Sequence, residues 1–495
     1  MAISFNQVDP SNRNPGAYME FDSTRALRGL QQIQRKALII GQKTSAGTLA
    51  DNTIALCTSG DQAKTLGGVG SMLADMYEYW EKNNKNIETH VIAVPNSGTA
   101  QVQRVSVSLA GTAGAGTIHS YIGGRKKSTS VSAGDSAGTI ATNFASTVND
   151  DTDLLFDASV VNVSLVDLTA KNGGLWTDSL KVIFNYRAEN YGGTEKFPTN
   201  VTLSSAITVN GSGNPDITDA IAGIPDERYD FIIQPYTDDA NMDLWDAEMT
   251  NRHDAMVQLE GHSFNAYGGT TSAVGTWGND RNSQYNTTMD AGVNEYTPAH
   301  GWAGAYAGQA STSATQDVAL PWQGLELIGV LPDHPEDERT FSERNTLMYD
   351  GIATHKISSS GAVLINRGCT NYQKNSFDQP DASWLDSQTA LTASYCRITF
   401  NQWMLTKFPR HKLADDTAVF SAGQFIVTPK IAKAEAIAWF VELEEAGILE
   451  NVAQFKSELI VERNGVDPNR LDFVLPTDFV NQMRIFASRL SFILN

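Results

Sequence analysis

The feature that most constrains this chain is a strand–helix–strand pattern that stops and then resumes more than a hundred residues later. The apolar run at 37–40 is followed by a stretch in which Leu73, Met76, Tyr77 and Trp80 recur at i, i+3, i+4 and i+7. That spacing gives one apolar helical face and predicts a helix over 71–83. "HVIAVP", residues 90–95, then supplies a second short strand closed by Pro95. Strand, helix, strand in this order needs a crossover and a parallel sheet. The same pattern returns at "YDFIIQPY", residues 229–236, followed by Met242, Trp245, Met249 and Met256 at helical spacing.

Between the two halves the composition shifts to Gly, Ser, Thr and Val. Alternating runs such as Val105-Val107-Leu109 and Val161-Val163-Leu165 predict strands, and Ile140, Phe144 and Val148 predict one helix. The block reads as a β-rich insertion into one α/β parent. At 495 residues the chain is too long for one core. We expect an extended arm over 1–36, the parent over 37–100 and 201–369, the insertion over 101–200, and an α+β unit over 370–495. The fold class is therefore multidomain α/β plus α+β.

Local signals sharpen this division. Thr340 and Glu343 have capping-box spacing, and Gly351 suits a left-handed helix stop. Thr428-Pro429 opens a helix at the position where the missing proline N–H costs nothing, and Gly447 ends it. Leu471-Phe473-Leu475 and Leu490-Phe492-Leu494 alternate as strands, the second at the chain end. Residues 1–36 show neither period and contain Pro10, Pro15 and Gly16. Such a segment needs a neighbouring surface to become ordered.

Several chemistries are excluded or disfavoured. "ALIIGQKTSAG", residues 37–47, places Lys43-Thr44 after a strand, but Gln42 and Ala37 stand where a phosphate loop needs glycine. "LPDHPEDERTF", residues 331–341, gathers acids and His334 in a loop with two prolines and reads as a solvated acidic loop, with no metal expected. No serine elbow or zinc-protease helix occurs. Cys57, Cys369 and Cys396 are widely spaced and read as reduced thiols. We expect no secretory signal, membrane span or cofactor.

The net charge of −20 argues against a general nucleic-acid binder. Residues 1–36 carry +2 and residues 401–495 carry −2, so the acidic charge lies in the middle. Nearly neutral ends with an acidic middle point to ends that make contacts. "YIGGRKKSTS", residues 121–130, reads as a basic hairpin tip, solvated or in contact with a partner. "KFPRHKLADD", residues 407–416, sets Lys407, Arg410, His411 and Lys412 before Asp415 and Asp416. It is either an anion site or an intersubunit charge clasp, and its mixed sign favours the clasp.

Taken in order, "NPGAYMEFD", "YDFIIQPYTD", "QLEGHSFNAYGG", "ERNTLMYDGIAT", "KFPRHKLADD" and "DFVLPTDFVNQMRIFASRLSFIL" span nearly the whole chain. In this joint order the chain resembles the tail sheath proteins of contractile bacteriophages, of the Mu-like type. The resemblance implies a non-enzymatic subunit of a virion tail, assembled in the host cytoplasm. It implies hexameric rings stacked as a helical sheath around a tail tube protein, with baseplate and tail terminator proteins as further partners. It also implies arms that donate strands to neighbouring copies, here Ala17, Tyr18, Met19, Glu20 and Phe21, and Leu490, Phe492 and Leu494. Residues 370–495 would then be the C-terminal sheath core domain and the acidic middle its outward face. The alternatives are the sheath of a phage-tail-like bacteriocin or injection system, or an α/β enzyme.

Overall fold

The computed structural model describes Gly16, Met19 and residues 33–421 and 424–493. The chain is mixed α/β and divides into two compact units, one built from residues 34–395 with 481–495 and the other from 1–33 with 396–480.

The larger unit is organised by a six-stranded sheet. Its strands in chain order are β1 (Lys36–Gln42), β2 (Ile54–Cys57), β3 (Glu88–Val94), β4 (Phe231–Ile233), β5 (His262–Tyr267) and β6 (Asn286–Asp290). The spatial order is β6-β5-β4-β1-β3-β2, parallel throughout except for β2 against β3. Ile39 sits opposite Val91 on one side and Ile233 on the other. Both faces are covered, which is why β1 reads as an unbroken apolar run. Ala37 and Ile39 join a core with Trp80, Phe231, Phe264, Trp302 and Trp322. Leu38 and Ile40 join the opposite core with Tyr229, Trp245 and Met249.

The first face is covered by helices α1 (Met72–Asn83) and α4 (Ala299–Gln316), while α2 (Asp239–Arg252) puts Trp245 and Met249 into the core on the second. Two more helices, α3 (Thr271–Asn279) and α5 (Phe341–Tyr349), pack a smaller core around Val274, Trp277 and Leu347. Helix α1 begins at its Ser71 cap, one residue from the expected start. In α2, Met242, Trp245 and Met249 are buried, but Met256 is 92% exposed because the helix stops at Arg252. Thr340 and Glu343 form the capping box on α5, and Gly351 follows at φ +73°.

Helix α4 carries no regular spacing of large apolar residues, and its stretch 308–317 is mostly polar. Its glycines are the reason it fits. A Cβ at Gly304 would lie 2.6 Å from the Met76 carbonyl oxygen, and one at Gly308 would lie 2.6 Å from Asn83 Cβ. The two helices thus pack backbone to backbone.

Strands from residues 102–209 form a four-stranded and a three-stranded antiparallel sheet around the helix Ala137–Asn149. Ile140, Phe144 and Val148 fill this second core with Val105, Val107 and Leu168. The run Val161-Val163-Leu165 is not one strand. It spans the end of strand Phe156–Asn162, the turn at 163–164 and the start of strand Leu165–Ala170, and Val161 and Val163 are exposed. The Asn162 side chain accepts the Val163 N–H at 2.7 Å and so completes the turn within the backbone.

The basic tip at 121–130 turns inward. Arg125 donates to the buried Asp75 on α1 at 2.7 Å and also pairs with Glu78. His300 on α4 reaches the other Asp75 oxygen through Nε2 at 2.8 Å. Lys126 pairs with Glu195 at 2.5 Å, and Lys127 pairs with Asp151. Every cation of the tip therefore has an acidic partner inside the chain, while Lys126 stays exposed to solvent. Burial alone would raise the Asp75 carboxyl, but Arg125 and His300 outweigh it and hold it at about 2.

The smaller unit contains helices α6 (Pro429–Glu445) and α7 (Val452–Glu458) and three two-stranded sheets. Helix Ser387–Lys407 contributes its residues from Cys396 onward. Phe440 stacks on Phe455 at 4.1 Å, and Trp439 meets Phe400 at 5.1 Å. Thr428 caps α6, Pro429 follows it, and Gly447 takes φ +73° after the helix end.

Two outcomes test this packing. Gly304→Val forces a side chain into the Met76 backbone and lowers unfolding free energy by about 1–3 kcal/mol in urea titrations. Arg125→Ala leaves a buried carboxylate uncompensated and costs about 3 kcal/mol. Because the folded-state pKa of Asp75 is depressed from 3.8, its ion pairs stabilise fully above that pH and fade as pH falls toward about 2. The wild-type advantage over the Arg125→Ala variant in thermal melts should therefore shrink as pH falls from 3.8 to about 2.

Candidate functional site

Among the described residues the strands of the smaller unit form only two-stranded sheets, whose outer edges are unpaired. Strands Leu449–Glu450 and Asp478–Phe479 pair antiparallel, as do Ile460–Arg463 and Leu471–Val474. Strands Lys412–Leu413 and Ile426–Val427 pair in parallel. A two-stranded sheet is marginal by itself and has two open edges. Ile460 and Val474 are exposed beside such an edge. Leu471 and Phe473 lie in a strand as expected, and Phe473 meets Phe400 at 5.3 Å.

The C-terminal segment makes no ladder of its own among the described residues 480–493. Arg484 pins it, donating to Asp386 at 2.8 Å and Gln388 at 3.1 Å within the larger unit. Beyond this anchor the chain presents apolar side chains to water. Ile485, Phe486 and Ile493 are exposed, Leu490 is 90% exposed and Phe492 76%. Met19 is likewise 85% exposed. Ala17, Tyr18, Glu20, Phe21 and Leu494 lie outside the described residues. Water-exposed Leu and Phe in one short run are the signature of a surface that another chain covers.

The charged loop is largely satisfied from within. Lys407 pairs with Glu435 at 3.3 Å and lies over the Trp403 ring at 4.9 Å. Asp415 pairs with Arg463 at 3.2 Å. Asp416 accepts the Lys430 N–H at 2.9 Å at the start of α6. Hydrogen bonds from Thr428 and Lys430 hold its carboxyl below the usual range. Lys412 joins the parallel strand pair and extends its ammonium toward Gln424. His411 lies edge-on to Phe408 and Phe425. Arg410 is exposed and has no ion-pair partner among the described residues. The loop thus braces the smaller unit and keeps one arginine available.

The positions that first resemble chemistry are occupied structurally. Lys43 donates to the Leu49 carbonyl at 2.7 Å and pairs with Asp51 at 2.6 Å, so it does not point at a ligand. Asp333 accepts the N–H groups of Val293 and Asn294, while His334 stacks on Tyr191 at 3.5 Å. All three cysteines are buried and free, and burial pushes the Cys369 and Cys396 thiols up to about 12. Among the described residues no three His, Cys, Asp or Glu side chains converge as a metal site. No described helix is long and apolar enough to cross a membrane.

Residues 210–370 match the phage tail sheath protein central domain, and residues 379–493 match the phage tail sheath C-terminal domain. Over all 495 residues, and the full length of the relative, the chain is 34% identical to the Mu-like prophage FluMu tail sheath protein of Haemophilus influenzae. Two solved structures also align. The sheath tail protein of Desulfitobacterium hafniense does so at 13% identity over 94% of this chain and 100% of that one, with a TM-score of 0.48. A chain of the anti-feeding prophage baseplate does so at 11% identity over 98% and 100%, with a TM-score of 0.46. Its full-length likeness to the Haemophilus protein, together with both domain matches, places this chain in the Mu-like phage tail sheath family, the structural sheath proteins of contractile tails.

Proposed function

We propose that this protein polymerises as hexameric rings stacked into a helical sheath around a tail tube, with copies joined by strands donated from both chain ends. The observation that carries this reading is the C-terminal segment, anchored at Arg484 and then exposing Leu490, Phe492 and Ile493 beside no strand of its own. Open edges on the short sheets of the smaller unit offer the complementary feature, since an extended segment adds to a free edge through backbone hydrogen bonds. The N-terminal segment around Met19 plays the same part at the other end. The domain at 37–100 and 201–369 carries the 101–200 block outward, and residues 370–495 form the inner sheath core with its arms. Baseplate and tail terminator proteins cap the polymer, which assembles in the host cytoplasm before joining the virion tail.

The energetics fit a reversible linkage. A donated five-residue strand gains about four backbone hydrogen bonds at roughly 0.5–1.5 kcal/mol each, plus about 1.5–3 kcal/mol for each of three buried side chains. Ordering the five residues costs about 1–2 kcal/mol apiece, so a single arm is worth a few kcal/mol. Many arms on a repeating partner hold strongly through effective concentration. Contraction then draws on conformational energy stored in the extended lattice, with the subunits moving as nearly rigid bodies and the arms acting as hinges. This motion drives the tube through the host envelope.

Deleting residues 490–495 tests the reading. The truncated protein should keep its secondary structure by circular dichroism yet sediment as a small species under conditions where the full chain forms tubes in negative stain. Normal tubes from the truncated chain would refute strand donation at this end.

A further inference from the structure

Three asparagine–glycine pairs occur in the chain, Asn172-Gly173, Asn210-Gly211 and Asn464-Gly465. Asparagine is chemically labile, and most so before glycine, whose backbone nitrogen no side chain shields. That nitrogen attacks the preceding carboxamide carbon and closes a succinimide ring. In sequence the three pairs are equivalent. The fold separates them.

Asn172 is 2% exposed and held from several directions. Its Oδ1 accepts the Met72 N–H at 2.9 Å, its Nδ2 donates to the Lys43 carbonyl at 2.9 Å, and the Gly173 N–H donates to Asn96 at 2.8 Å. Asn210 is exposed, but the nitrogen that follows it is engaged. Gly211 N–H donates to Asp178 Oδ1 at 2.6 Å, and Gly211 is so enclosed that a Cβ would lie 2.2 Å from Thr177 Oγ1. Ring closure at either pair requires a lost hydrogen bond and a displaced backbone.

Asn464 stands in the loop between strands Ile460–Arg463 and Leu471–Val474. Its Oδ1 accepts the Val466 N–H at 2.8 Å and the Asp467 N–H at 2.9 Å, which folds the carboxamide forward over the Gly465 peptide. The same two donors stabilise the negative charge that builds on this oxygen as its carbon is attacked. Gly465 is exposed, and its N–H donates to no described residue. A Cβ on Gly465 would meet nothing within 4 Å, so the peptide has room to turn toward the side chain. Of the three pairs, only this one has a free nucleophile and an unobstructed path.

We infer that Asn464 is a self-modifying residue, converted in the folded protein to aspartate and isoaspartate. The Gly465 nitrogen bonds to Asn464 Cγ and gives its proton to solvent, while the Cγ–Nδ2 bond breaks and the nitrogen, protonated by solvent, leaves as ammonia. Water then opens the succinimide at either carbonyl. The product changes the loop's charge. Asn464 Nδ2 donates to Asp472 Oδ2 at 2.6 Å, and this bond together with one from Arg470 holds the Asp472 carboxyl below its usual range. Replacing the donor by a carboxylate sets two anions where a hydrogen bond stood. The isoaspartate form also adds a methylene to the main chain. Both changes loosen the pairing of Ile460–Arg463 with Leu471–Val474. Resting on the strand-donation reading, one consequence is that conversion withdraws a subunit from polymerisation as it ages.

Peptide mapping by mass spectrometry of the full-length protein, aged at mildly alkaline pH, tests the chemistry. Asn464 should convert about tenfold or more faster than Asn172 and Asn210, with isoaspartate among its products. In concentrated urea the three sites should react at similar rates, which ties the difference to the fold. Gly465→Ala puts a methyl group into open space and should slow conversion while circular dichroism shows a folded protein. Asn464→Asp should lower the thermal midpoint, and adding Asp472→Asn should restore it. Native Asn464 reacting no faster than Asn210, or an undiminished rate in folded Gly465→Ala, would overturn the assignment. Normal tubes from Asn464→Asp would refute the consequence for assembly alone, whereas normal tubes from the chain lacking 490–495 refute strand donation and leave the modification standing.

Discussion

The larger unit depends on a buried carboxylate that cannot be left alone. Asp75 is buried on α1, between Arg125 and His300, where an unpaired charge is prohibitive. It is satisfied from two directions, by Arg125 of the antiparallel block and by His300 of α4. One side chain thereby ties together three segments that are far apart in sequence. Hydrophobic burial alone is non-directional and leaves their mutual placement free. The ion pairs remove that freedom, and the close approach of Gly304 and Gly308 to α1 fixes the helix distance.

The division of labour along the chain follows from this. The larger unit carries its charged core internally, with Asp75, Asp290 and Asp386 each paired to an arginine. The smaller unit and the chain end contribute short two-stranded sheets and the exposed Leu490, Phe492 and Ile493.

Some of this was readable from residue pattern because the responsible physics is local. The Ser71-capped helix, the Thr340–Glu343 box, the Thr428-Pro429 start and the Gly351 and Gly447 stops depend on neighbours within a few positions. Some of the readings that failed depended on partners distant in sequence. Lys126 and Lys127 look solvated until Glu195 and Asp151 are brought beside them. Helix α4 carries little apolar periodicity because Ala and Gly, not large side chains, give it its close packing. Val161 and Val163 alternate like a strand, yet a side chain one position away closes a turn there.

The sequence by itself determined the family, the unbroken apolar run that makes β1 a doubly buried strand, the acidic middle and the apolar chain end. These are properties of composition and short-range order, and they survive without coordinates. Only the tertiary structure decided which charges are spent internally, which sheet edges stay open, and which of the three Asn-Gly pairs leaves its glycine nitrogen free. Those facts depend on through-space distances between segments up to about two hundred residues apart. Chain connectivity leaves such distances free until the sheet and its helices pack.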